Sequence, residues 1–431
     1  MNSPKLVRIA NLILGAGGLG CMSILVTVFV RRQMHPPGTL WKYYVLSAAG
    51  LLFFSFSLRW SAANKVRLAL LCTSIVFTLY AAEVILIILS ATSPTLVPPD
   101  KFHVTRELIA KGIQASPVIN PSAFIPSDGL NGIFPFASQA NKRAVYCNES
   151  GHFTVFTSDE HGFNNPRWES NPEIVLIGDS FAEGACVDSG EDMAGQLRHS
   201  GRNALTLGGA GAGPLIELAT LREYATHLKP KILLWVYYEG NDLPDLKNEE
   251  TSPTLRKYLT DDNFSQNLIG RQVEIDQVLT VYIDEVSRGE GQRDRPWGKL
   301  VDALRLTALR TRWAKVASSY GSPEELAAVP PAADFNSVLQ KANEQVKGWG
   351  GRMYFVYLPS YGRYARRVDE NSYLHRQEVL DLVRGLNIPV IDAHQVFATN
   401  PDPLSLFPNR QLGHYTPEGY RLVAEYIRGK L

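Results

Sequence analysis

Hydrophobic positions follow two regimes along this chain. Up to about residue 91 they form long unbroken stretches at Ile9–Val30, Tyr43–Leu58 and Leu68–Leu89, and beyond it they come as short runs separated by helical periodicity. The first and third stretches exceed the roughly 18 consecutive apolar residues that separate a membrane span from a buried core helix. The second is shorter, but Trp41, Tyr43 and Tyr44 at one end and Trp60 at the other supply the aromatic belt of a span. Three transmembrane helices over residues 1–91 are therefore expected. Val30 runs directly into Arg31 and Arg32 without a small-residue cleavage site, which favours an uncleaved anchor over a signal peptide.

Flanking cations orient this anchor. Lys5, Arg8, Arg59, Lys65 and Arg67 fall on one side and Arg31, Arg32 and Lys42 on the other, so the positive-inside rule puts the N-terminus in the cytoplasm. Three crossings then place the rest of the chain outside it. The flank Ser90–Pro99 carries no basic residue, as an exported flank should not. Glu83 lies within the third stretch, where a carboxylate is costly and invites a functional reading. Three helices leave little room for a conduction path, so a protonated or interhelix-bonded Glu used in packing or docking is preferred.

Residues 92–143 are rich in Pro, Ser and Asn, including Pro94, Pro98, Pro99, Pro117, Pro121 and Pro126, and are expected to be a linker. Alternation over Ala144–Ser158 then predicts a short hairpin, followed by a turn at Asp159-Glu160-His161-Gly162. From there, apolar runs at Glu173–Ile177, Ala204–Leu207, Ile232–Tyr238, Met353–Leu358 and Pro389–Ile391 alternate with amphipathic segments. The latter fall at Asp192–His199, Leu215–His227, Asn336–Trp349, Tyr373–Leu386 and Pro417–Arg428. Such alternation predicts a three-layer α/β/α domain over 144–431 with about five parallel strands. An insertion at about 243–331 is too long for a simple crossover. Its Ile275, Val278, Leu279, Tyr282 and Val286 share one helical face, suggesting a helical cap.

Composition narrows the chemistry. Among 431 residues, 43 Lys and Arg balance 42 Asp and Glu to leave a formal charge of +1. No global field therefore points to nucleic acid as a partner. Nine histidines and four cysteines form no zinc-binding spacing. Cys21 and Cys72 fall in the apolar stretches, leaving Cys147 and Cys186 as either a disulfide of an oxidising compartment or two unrelated buried thiols.

The candidate chemistry sits at the ends of the expected strands. Ile177-Gly178-Asp179-Ser180-Phe181 puts a serine hydroxyl at the carboxyl edge of the sheet, where ligands bind in such folds. Thr206-Leu207-Gly208-Gly209-Ala210-Gly211-Ala212-Gly213 offers backbone N–H groups for close approach to an oxyanion, and matches neither a phosphate loop nor a dinucleotide fingerprint. Tyr238-Glu239-Gly240-Asn241-Asp242 adds a side-chain amide, and Gly413-His414-Tyr415-Thr416-Pro417 adds an imidazole before the last helix.

In this order, the four segments closely resemble the sequence blocks of the SGNH (GDSL-type) hydrolase superfamily, over about residues 170–245 and 350–431. The resemblance implies a flavodoxin-like fold in a membrane-anchored bacterial member, with Ser180 as nucleophile and His414 as general base and acid. The oxyanion donors would be the Ser180 and Gly211 N–H groups and the Asn241 amide, with Gly208 the alternative if the glycine run is aligned differently. It further implies an acyl-serine intermediate with neither metal nor organic cofactor.

One departure stands out. The family's usual Asp three residues before the His is here Gln411. The imidazole would then be held by a backbone carbonyl, by Asp402 or by another acid, or the domain would be noncatalytic. The resemblance implies an esterase acting on an extracytoplasmic lipid, glycan or small-molecule ester at the bacterial inner membrane. An O-acyltransferase of an exported polysaccharide, needing a membrane acyl-donor partner, and a noncatalytic envelope assembly or glycan-binding protein are the alternatives.

Overall fold

The computed structural model describes residues 3–31, 40–92, 100–293, 296–318, 328–366 and 368–431. Arg32, Pro94, Pro98, Pro99 and the flank at 93–99 lie outside them. The chain forms two compact units, Met1–Val97 with Arg293–Lys315, and Pro98–Gln292 with Val316–Leu431.

In the first unit, α1 (Pro4–Arg31), α2 (Trp41–Ser57) and α3 (Ala62–Thr92) follow the three apolar stretches. Among the described residues, Pro4–Val30 and Ala62–Leu89 are long and apolar enough to cross a membrane, each with a mean hydropathy of 2.2. The expected three spans are thus two by this measure. Helix α2 has 17 residues, ending at Ser57, at the lower limit of the length that a bilayer crossing asks. Helix α1 packs against both others. A Cβ at Gly17 would lie 2.8 Å from the Phe54 ring, showing how small residues let these helices approach.

The second unit opens where a linker was expected. Helix α4 (Lys101–Ala110) is capped by Asp100, whose side chain accepts from the His103 N–H. Strand β1 (Ala115–Pro117) pairs in parallel with β2 (Arg143–Val145), which pairs in antiparallel with β3 (Val155–Thr157), the expected hairpin. Between β1 and β2, Phe124, Ile125, Ile133, Phe134 and Phe136 are buried in the main core. Pro121 and Pro126 lie in a 3-10 helix among these buried aromatics rather than in an extended tether.

Five strands then build the central sheet: β4 (Ile174–Gly178), β5 (Ala204–Thr206), β6 (Ile232–Tyr238), β7 (Arg352–Leu358) and β8 (Val390–Asp392). All neighbours pair in parallel, in the order β5-β4-β6-β7-β8. Their near-continuous apolar sequences follow from burial on both faces; every residue of β4 is buried. Helices α5 (Ser180–Glu183), α6 (Met193–His199) and α7 (Pro214–Thr220) occupy the β4–β6 crossovers, α7 continuing through a π turn at Leu221–Ala225. Because β5 and β6 flank β4 on opposite sides, the chain reverses its winding there. The carboxyl end of β4 is therefore the switch point where such sheets bind ligands.

The insertion after β6 contains α8 (Asp242–Glu249), α9 (Pro253–Thr260), α10 (Gln272–Arg293), α11 (Pro296–Leu304) and α12 (Thr307–Ser318). Ile275, Val278 and Leu279 of α10 are buried, with Tyr282 and Val286 packed beside them, so the expected apolar face exists. The insertion is not one cap, however, because Arg293–Lys315 belongs to the first unit. The chain returns through α13 (Ala333–Gly348), α14 (Tyr361–Ala365), α15 (Arg376–Gly385), α16 (His394–Ala398) and α17 (Pro417–Arg428). Thr416 caps α17 by accepting from the Gly419 N–H.

Candidate active site

Ser180 opens α5 directly after β4, with Asp179 as the helix cap: its Oδ1 accepts from Phe181 N at 2.9 Å. This turn leaves the hydroxyl half-exposed while Phe181 is buried and stacked on Tyr238, ring centroids 4.0 Å apart. His414 arrives on the loop before α17. That loop is fixed by Tyr415, whose hydroxyl donates to the Pro359 carbonyl at 2.6 Å, and by the Thr416 N–H to Leu406 O bond at 2.9 Å. His414 Nε2 then lies 2.8 Å from Ser180 Oγ, a hydrogen bond between residues 234 positions apart.

The group behind the imidazole is Glu149. Its Oε1 lies 2.8 Å from His414 Nδ1, and its Oε2 accepts from the His414 backbone N–H at 2.8 Å. A carboxyl held at both points fixes ring orientation and tautomer together: Nδ1 donates to Glu149, leaving Nε2 free to accept from Ser180. Gly413 makes the approach feasible, since a Cβ there would stand 2.6 Å from Glu149 Oε2. Burial pushes the Glu149 carboxyl up, but the His414 hydrogen bonds and charge outweigh it and hold its pKa below the ordinary Glu value.

Of the alternatives that Gln411 leaves open, the geometry fits another acid, Glu149. Gln411 is exposed, and Asp402 is engaged by Arg410 through bonds of 2.5 and 2.8 Å. Neither a backbone carbonyl nor Asp402 orients the ring. Glu149 escaped the sequence reading because it precedes Ser180 by 31 positions, in the hairpin rather than near the His. One signal did exist. Cys147 and Cys186 are bonded, so the hairpin is tied to the loop following α5 and carries a carboxylate two residues from the tie. Glu149, Cys186 and His414 also cluster tightly enough to suggest a cation, but the sulfur is spent in the disulfide and the other two bond each other.

The remaining predicted donors line the same sheet edge. Leu207 N donates to Leu176 O at 2.8 Å and Gly209 N to Gly178 O at 3.1 Å, which extends the β5 ladder into the glycine run beside Ser180. Gly211 follows with φ of +65°, a left-handed conformation that a side chain resists. Glu249 of α8 accepts from Gly213 N at 2.6 Å and Leu215 N at 2.8 Å, which clamps the end of the run. Asn241 ends the loop after β6, but its Nδ2 donates to Asp245 Oδ2 at 2.9 Å, and its amide also helps hold Asp179. Two carboxyls therefore claim the amide assigned to the oxyanion.

Carboxyl groups accumulate behind this edge. Burial raises Asp179 to about 6, against the Phe181 N–H bond and the His414 charge, and burial together with the charge of Asp179 raises Asp245 to about 7. Glu239, immediately after β6, forms a buried ion pair with Arg363 and accepts from Ser360 N at 2.7 Å, locking the end of β6 to that of β7. Beside the disulfide and the His414 loop lies a cavity of about 360 Å³, lined in part by His152, Val187, Glu191 and Asn409.

No family model matches the chain, and no curated protein matches it. Among solved structures, it is similar to a protein assigned to the G-D-S-L lipolytic family from Desulfitobacterium hafniense DCB-2. That match has 15% identity and a TM-score of 0.34 over 61% of this chain and 100% of the other. It is also similar to a lipase/acylhydrolase from Enterococcus faecalis, at 12% identity and a TM-score of 0.33 over 60% of this chain and 94% of that one. A third similarity is to an acetyl xylan esterase, at 10% identity and a TM-score of 0.33 over 60% and 98%.

Proposed function

We propose that this chain is a serine esterase of the SGNH type, anchored in the bacterial inner membrane with its catalytic unit outside the cytoplasm. The observation that carries the reading is the unbroken chain Ser180 Oγ, His414, Glu149, with contacts of 2.8 Å on either side of the imidazole. Such an arrangement activates a hydroxyl whatever the fold around it.

In the proposed reaction, Ser180 Oγ attacks an ester carbonyl while its proton passes to His414 Nε2. Glu149 stabilises the imidazolium so formed. Negative charge on the former carbonyl oxygen is met by the Ser180 and Gly211 N–H groups and by Asn241, which turns part of its amide away from Asp245 and Asp179 to do so. Collapse breaks the ester C–O bond, and the leaving alcohol takes the proton from His414. Water, deprotonated by the same ring, then hydrolyses the acyl-Ser180 and restores the serine. The substrate would be an ester of an envelope lipid, glycan or small molecule. The anchor is proposed to consist of α1, α2 and α3, with the N-terminus cytoplasmic.

The disulfide supports an oxidising compartment for the catalytic unit. Detergent-solubilised full-length protein should hydrolyse p-nitrophenyl acetate, and His414→Ala should lose at least a thousandfold in kcat. Hydrolysis by His414→Ala at the wild-type rate would remove the proposed base. If an added glycan accelerates p-nitrophenol release while free acetate does not rise in step, the acceptor is a sugar hydroxyl and the enzyme is a transferase.

A further inference from the structure

Glu83 sits six positions before the end of the apolar run of α3 at Leu89, yet it is 1% exposed. Its two carboxyl oxygens accept from Ala308 N at 2.8 Å and Leu309 N at 2.7 Å. One turn earlier, the Tyr80 hydroxyl donates to Leu304 O at 3.0 Å. Ala308 and Leu309 lie in the first turn of α12, and Leu304 closes α11. Glu83 therefore satisfies N–H groups that a helix start leaves open, and Tyr80 a carbonyl that a helix end leaves open. Together they pin the α11–α12 corner to α3. At about 1.5 Å per residue, that level is roughly 9 Å inside the end of the apolar run.

The rest of this corner is unusually apolar for a surface. Trp297 is 73% exposed, Trp313 72%, Leu304 59% and Leu300 45%, with Arg305, Arg310 and Arg312 exposed among them. Helix α3 presents its own Phe77 and Val84 in the same manner on either side of Tyr80 and Glu83. Helices of 9 and 12 residues are too short to span a bilayer, so in a membrane they would lie along or dip into one leaflet. Irregular backbone at that depth is tolerated only where protein satisfies it, and Tyr80 and Glu83 satisfy it at this corner.

Resting on the proposed membrane anchor, we infer that α11–α12 is a re-entrant hairpin seated in the leaflet at the C-terminal end of α3. Trp297, Leu300, Leu304 and Trp313 contact acyl chains, and the three arginines reach lipid phosphates. The occupant is lipid rather than another protein because the apolar patch continues the lipid-facing surface of a span. The chain joining the two units crosses between them three times, after residues 97, 292 and 315. The catalytic unit is thus tethered to the membrane through its insertion as well as through its N-terminus.

The test uses the full-length chain carrying Cys21→Ser and Cys72→Ser. A single new cysteine at Leu300→Cys, Trp313→Cys or, as control, the exposed Asp381→Cys of α15 is labelled with bimane. The proteins are reconstituted in phosphatidylcholine–phosphatidylglycerol vesicles with or without doxyl-labelled lipid. Quenching at 300 and 313 is expected to exceed that at 381 at least twofold, and Glu83→Leu, which removes both acceptors, is expected to reduce it. If the protein remains in the membrane through alkaline carbonate washing but 300 and 313 are quenched no more than 381, the hairpin inference fails alone. If the washing releases the protein, the anchor reading fails and takes this inference with it.

Discussion

A single carboxylate decides whether the site works as a triad. Glu149 occupies the only ring nitrogen of His414 not directed at Ser180. Glu149→Gln keeps a hydrogen bond but removes the charge that stabilises the imidazolium, so kcat should fall about a hundred- to ten-thousandfold with KM little changed. Steady-state hydrolysis of a p-nitrophenyl ester measures both. Gln411→Asp, which would put a carboxylate three residues before His414, should leave the rate unaltered, because Glu149 already holds the Nδ1 position. A gain in rate from that substitution would show that Glu149 is not the orienting acid. Asp245 makes a separate pH-dependent contribution. With its folded pKa raised to about 7 by burial and by Asp179, the native state keeps a proton that the unfolded chain releases near pH 4. Proton binding by the native state alone means that stability falls as pH rises from about 4 to about 7, and levels off above. Denaturant midpoints across this window should decline less steeply in Asp245→Asn than in wild type.

At the scale of elements, the sheet was legible because burial on both faces forces runs of apolar residues, and each of the five runs became a strand. The motifs at their ends followed, since a parallel sheet gathers its carboxyl-end loops at one edge. Glu149 was not legible. It comes from the hairpin outside that sheet, which the disulfide, the packing of Ala144 and Tyr146 against Ala185 and the Asn409 bond to the Glu149 carbonyl hold beside Ser180. The segment 100–143 is concealed for a related reason: its buried phenylalanines obey no period, so prolines dominate the pattern. The disulfide therefore has a positional as well as a stabilising role. Replacing both cysteines by serine releases a crosslink closing 39 positions, at a cost of about 4 kcal/mol by loop-closure entropy. Activity should drop beyond the loss of folded protein, because Glu149 loses its tether. Circular dichroism alongside kcat separates the two effects, and full kcat in the folded fraction would show that the hairpin positions Glu149 unaided.

For the whole molecule, the N-terminal hydropathy announces long apolar helices, while pattern alone does not say how α2 ends or where the insertion goes. The periodicity of α10 does reveal its buried face. What the sequence concealed is that Arg293–Lys315 packs with the first unit, because a Glu inside an apolar run gives no indication of its partner. A reporter fused after Leu431 should be active only outside the cytoplasm; cytoplasmic activity would contradict the proposed three-span topology. Whether Ser180 is an activated nucleophile is read by treating the full-length protein with a fluorophosphonate and mapping the adduct by mass spectrometry. One adduct is expected, on Ser180, absent in Ser180→Ala and slowed in Glu149→Gln. An unlabelled wild type, or labelling that persists in Ser180→Ala, would contradict it.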